Sequence, residues 1–133
     1  MRYLLDTDTF SVLARGNNER CVAHADAAGQ DAMALSVISE GEIRYGLLHK
    51  PVPPRMAMHI EGWMSLVHRL PLDQKVVPHY ASLRAALQKA GTPIGPNDMW
   101  IAAHALAEDL TLVTGNTREF NRVPGLRVEN WLR

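Results

Sequence analysis

The chain has 133 residues, 47% of them hydrophobic, and its 14 basic and 14 acidic residues leave a formal net charge of zero. That length supports one hydrophobic core without metal or disulfide staples and predicts a single domain over 1–133, while the charge balance excludes a protein that coats nucleic acid by bulk attraction. The lone Cys21 excludes an internal disulfide framework, no CxxC, HxxxH or HExxH spacing offers zinc, and no apolar run approaches the roughly 18 residues that span a bilayer, so the expectation is a soluble protein of the reducing cytoplasm with no membrane partner.

Apolar spacing predicts strand 3–6, helices across 8–28, strand 32–36 and helix 37–48. A loop over 50–54 holds Pro51, Pro53 and Pro54, and helices 55–68 and 73–90 follow. Gly95-Pro96-Asn97 opens helix 96–108, because proline suits a first helical turn; strands 110–114 and 126–130 complete the series. Alternating strands and helices, with no repeat or linker, predict an α/β fold around a parallel sheet.

Four carboxylates stand where apolar runs stop: Asp6 in YLLDTDTF, Glu42 in SEGEIRYG, Asp98 in GPNDMWIAAHA and Glu119 in LVTGNTREF. Parallel sheets collect ligands at the carboxyl ends of their strands, so the spacing predicts one acidic pocket. Taken singly, each has an ordinary explanation. Asp98 faces the positive end of a helix dipole, which favours its ionised form, and it or Asn97 suits an N-terminal cap. Asp8 suits the cap of the first helix better than Asp6, which is left without a local duty. Glu42 can face inward or toward solvent, and Glu119 follows an Asn116-Thr117 turn.

Taken together, four carboxylates repel, since one like-charge pair at 4 Å costs about 4 kcal/mol at an effective dielectric of 20. Gathering them calls for a cation, and hard oxygen donors without His or Cys select Mg²⁺ or Mn²⁺. Phosphodiester hydrolysis is the chemistry that such a centre serves.

The segments LLDTDTFS, SVISEGEIRYG, GTPIGPNDMWIAAHALAEDLTLVTGNTREF and RVPGLRVENW closely resemble the PIN-domain ribonuclease toxins of bacterial VapBC toxin–antitoxin modules, over nearly the whole chain outside residues 50–75. The resemblance implies a PIN-like three-layer sandwich, a short parallel sheet flanked by helices. It also implies an Mg²⁺-dependent endoribonuclease, with Mn²⁺ able to substitute, that cuts initiator tRNA in the anticodon stem-loop and so inhibits translation. The implied partners are a second copy in a homodimer, a VapB-like antitoxin, and operator DNA reached only through that antitoxin. Carried over residue by residue, the metal-binding and catalytic acids are Asp6, Glu42 rather than Glu40, Asp98 and Glu119. Thr7 and Thr114 match the hydroxyl residues that orient the acids or a metal-bound water. Asn116 stands where other members have a further acid and is placed with Thr7 and Thr114 among the residues that would support the metal-binding acids.

Two other readings compete. Asp6-Thr7-Asp8 and Leu112-Val113-Thr114 echo haloacid-dehalogenase-type phosphatases, but that family needs a later lysine and none follows Lys89. The other is a catalytically weak PIN-fold binding module that docks an antitoxin or RNA, with Asn116 as the sign of decay. Trp63, Trp100, Met56, Met64 and Met99 are expected to pack a core or dimer face, and Met56, Ile60, Trp63, Leu66 and Val67 could form an exposed stripe. The six histidines, the C-terminal arginines Arg118, Arg122, Arg127 and Arg133, and the group His49, Lys50 and Arg55 read as helix surface or solvated surface.

Overall fold

Three short runs with little polar surface, Tyr3–Leu5 (β1), Met33–Ser36 (β2) and Thr111–Val113 (β4), form the middle of a parallel sheet, as expected for strands covered on both faces. The computed structural model describes residues 1–133. His68–Leu70 (β3) and Val128–Glu129 (β5) complete the sheet in the order β3-β2-β1-β4-β5, every pair parallel. Leu5 stands opposite both Leu35 and Val113 in the register, so the three central strands end level with one another.

Side chains alternate across this sheet and divide the core in two. Tyr3, Leu5, Met33, Leu35 and Val113 pack against α1 (Thr7–Arg15), α2 (Glu19–Ala28), α3 (Val37–His49) and α4 (Pro54–Leu66). Leu4, Ala34 and Leu112 pack against α5 (Val76–Lys89), α6 (Pro96–Ala107) and Phe120 of the short α7 (Thr117–Phe120). The result is the expected three-layer α/β sandwich. β1 leads into α1 on one face and β4 into α7 on the other, so the strand order reverses between them and a crevice opens at their carboxyl ends.

Several boundaries differ from the sequence expectation. The helix predicted over 55–68 stops at Leu66, and His68–Leu70 becomes an edge strand paired with Ala34–Ser36. His68 and Arg69 are exposed, so this strand carries no apolar run and pairing alone defines it. Helix α1 begins at Thr7, one residue before the predicted start. The Asn116-Thr117 turn continues into α7, and the last strand shrinks to two residues. The expected stripe along α4 and its C-cap is divided: Ile60 and Val67 are buried, Met56 and Trp63 are half-buried, and Leu66 is 49% exposed. Met99 is buried, Trp100 stacks on Tyr80 with ring centroids 3.7 Å apart, and His104, read with the other histidines as a surface or helix residue, is a fully buried helix residue.

Leu5 joins the sheet to α1 through the core and is fully buried. Leu5→Ala is expected to cost about 2–5 kcal/mol, seen as a lower denaturation midpoint with an unchanged slope.

Candidate active site

Asp6 is the first residue past β1. Its backbone N–H donates to Val113 O at 2.9 Å, which ties it to the end of β4, and its Oδ1 accepts the Thr9 N–H at 2.9 Å as the N-cap of α1. Asp6, not Asp8, therefore caps this helix, because the helix starts at Thr7 and places Asp8 inside its first turn. Burial raises the Asp6 pKa above its ordinary range, and hydrogen bonds from Thr114 and Thr9 offset part of that rise.

Glu42 points inward. The Thr7 hydroxyl donates to Glu42 Oε1 at 2.5 Å and pairs with Ser39 Oγ at 3.0 Å, so α1 and α3 are joined at the carboxylate. Ser39 is fully buried one turn before Glu42, and nothing in the sequence pattern singled it out except the i, i+3 spacing. The Thr7 hydroxyl thus fixes the direction of the Glu42 carboxylate.

Asp98 lies in the first turn of α6, where Gly95 is the N-cap and neither Asn97 nor Asp98 makes a side-chain capping bond. Glu119 reaches the same place from α7. Its Oε1 accepts the Gly95 N–H at 3.3 Å and its Oε2 accepts from Asn116 Nδ2 at 2.6 Å. Asn116 in turn donates its backbone N–H to Thr114 Oγ1 at 2.9 Å. The amide of Asn116 therefore orients an acid.

The electrostatics join the four acids. The Asp98 pKa is pushed up to about 7, first by burial, then by hydrogen-bond contact with Glu119 and by the negative charges of Glu119, Asp6 and Glu42. The sequence favoured a fully ionised Asp98 held by the helix dipole; burial, with the neighbouring carboxylates adding to it, outweighs that dipole. None of the four has a cationic partner, for every ion pair lies elsewhere, such as Arg44 with Glu40 and Glu61 or Lys75 with Glu108. No three acidic, His or Cys side chains yet converge at ligating distance of one point. An all-oxygen donor set with uncompensated charge fits a hard divalent cation, which would supply the missing counter-charge.

A second buried polar contact underlies the site. His104 Nδ1 lies 2.8 Å from Ser36 Oγ, and Ser36 caps α3 by accepting the Ile38 N–H. This links α6, which carries Asp98, to α3, which carries Glu42. Burial lowers the His104 pKa, so the ring is neutral.

The chain is similar to known proteins over nearly its whole length. The PIN domain family matches residues 3–126. A tRNA(fMet)-specific endonuclease VapC of Salmonella typhimurium is 34% identical over 131 residues, 98% of each chain. Ribonuclease VapC2 of Haemophilus influenzae (strain Rd) is 38% identical over 133 residues, 99% of each chain. Among solved structures, VapBC2 from Rickettsia felis bound to a DNA fragment from its promoter superposes with a TM-score of 0.91 at 30% identity, covering 98% of this chain and 99% of that one. The chain belongs to the PIN domain family and, within it, to the VapC ribonucleases of toxin–antitoxin systems.

Two outcomes follow from the geometry. Thr7→Val keeps the side-chain shape but removes the donor to Glu42 and is expected to lower ribonuclease activity about 10–100-fold with little change in melting temperature. Ionising Asp98 is disfavoured in the folded chain, because its pKa rises from 3.8 to about 7. The stabilising contribution of this group is therefore complete below about pH 4 and is lost as pH rises through 7. In chelator, Asp98→Asn is expected to be no less stable than the parent at pH 8, and thermal melts from pH 4 to 8 should show the parent losing stability relative to the variant.

Proposed function

We propose that this chain is a metal-dependent endoribonuclease that cuts initiator tRNA in its anticodon stem-loop and thereby stops translation. The observation that supports the metal requirement is the set of four carboxylates at the β1/β4 crevice, where burial and neighbouring negative charge push Asp98 to about 7 and no acid has a cationic partner. Asp6, Glu42, Asp98 and Glu119 would hold Mg²⁺, or Mn²⁺ in its place. When bound, the ion would lower the pKa of a water and neutralise charge on the leaving oxygen.

The remaining work falls to the chain. The Asp6 cap, the Thr7 bond to Glu42, and the Gly95 and Asn116 bonds to Glu119 each fix one acid from a different element, so the acids keep their places while a phosphate enters. Thr114 holds both Asp6 and the Asn116 turn. Support for the tRNA substrate comes from relatives in Salmonella typhimurium and Shigella flexneri, 34% and 36% identical, which are named tRNA(fMet)-specific endonucleases. A cognate VapB-like antitoxin, operator DNA reached through it, and a homodimer are proposed as partners, supported by the likeness to DNA-bound VapBC complexes. No helix is long and apolar enough to cross a membrane.

Purified protein incubated with total RNA and defined tRNAs is expected to give discrete cuts in Mg²⁺ or Mn²⁺, none in EDTA, and none with Asp98→Asn. Cuts that persist equally in EDTA or in the variant would refute the metal site. No cuts by the parent would favour the non-catalytic binding module.

A further inference from the structure

On α3, Glu42, Tyr45, Gly46 and His49 follow the spacing i, i+3, i+4, i+7 and so form one strip about 10 Å long, with Lys50 at the helix C-cap beyond it. Tyr45 is 65% exposed, and its ring stacks on His49 with centroids 5.6 Å apart and planes 9° apart. Two open clefts meet at Glu42. One, of about 430 Å³, is lined by Thr7, Arg15, Gly46, His49 and Lys50; the other, of about 650 Å³, by Thr7, Gly41, Tyr45 and Asn97.

Three features stand at these clefts. Arg15, in the last turn of α1, and Lys50 enter no ion pair. An aromatic pair is left in solvent beside Glu42. Gly41 and Gly46 lie within the helix on either side of Glu42, and a Cβ at either would meet nothing within 4 Å, so no internal packing requires glycine there.

We propose that this strip is the track for the single-stranded part of the RNA substrate: a base stacks on the Tyr45–His49 pair, and Arg15 and Lys50 take backbone phosphates in the cleft beside Glu42. Unpaired loop bases are recognised by stacking on aromatic rings, and phosphates by local cations. Net charge is zero and the reacting centre is acidic, so attraction for RNA has to be built locally. The track rests on the ribonuclease reading above and adds residues that position substrate without taking part in chemistry.

The test measures affinity of the isolated initiator-tRNA anticodon stem-loop for protein carrying Asp98→Asn in EDTA, by fluorescence anisotropy across a salt series, with cleavage kinetics in the otherwise unaltered chain. Tyr45→Ala is expected to weaken binding about tenfold or more without changing the salt slope, and Tyr45→Phe to restore it. Arg15→Ala with Lys50→Ala is expected to reduce the slope of log affinity against log salt by about 1.4, two phosphates' worth. In cleavage both changes should raise KM and leave kcat within about twofold. Lys89→Ala, a surface change elsewhere, should alter nothing. Parental RNA affinity and KM in both variants would overturn the track, as would a loss of binding to the cognate antitoxin in place of RNA. A parent that cleaves normally while the variants match it sinks the track alone; a parent that neither binds nor cuts the RNA sinks the ribonuclease reading and the track with it.

Discussion

Four carboxylates held together without a counter-ion govern this structure. Each would be unremarkable on a surface, but at the end of a parallel sheet burial and the neighbouring carboxylates together push the Asp98 pKa to about 7. The chain does not relieve the crowding with lysine or arginine. It uses neutral donors instead: the Thr9 and Gly95 backbone N–H groups, the Thr7 hydroxyl and the Asn116 amide. Such donors orient a carboxylate without cancelling its charge, which leaves the charge available to a cation.

The fold explains how residues so distant in sequence meet. Level strand ends bring Asp6 and Thr114 side by side through the Asp6 N–H to Val113 O bond. Helix α3 turns back over β2 and presents Glu42 to Thr7 at the start of α1. The buried His104–Ser36 contact joins α6 to the cap of α3, so the helices carrying Asp98 and Glu42 are braced against each other from below. A parallel sheet with covering helices is thus the means by which acids from four separate elements reach one crevice.

Much of this was legible in the sequence because its physical signals are local. The apolar runs of β1, β2 and β4 marked the buried strands, Pro96 marked the start of α6, and the four acids at the ends of apolar runs marked the crevice. What was not legible depended on contacts between distant residues. Strand β3 is defined by pairing with β2 and has no apolar run of its own. Ser39 and His104 look like ordinary helix residues until packing buries them. Asp6 looked idle because the helix start was placed after it, so its capping role passed to Asp8. The Asp98 pKa could not be read from its helix position, since the dipole is local and the opposing charges arrive from three other segments.

The central claim is that these acids stand ready for a divalent cation, and linkage offers the most direct measurement. A ligand that binds only the folded state at 100 times its dissociation constant stabilises that state by about 2.7 kcal/mol. Thermal unfolding at pH 7.5, scanned with rising Mn²⁺ or Mg²⁺, should therefore give a melting temperature that climbs with metal concentration in the parent and not in Asp98→Asn. A melting temperature that ignores both metals, or rises equally in parent and variant, would contradict the account.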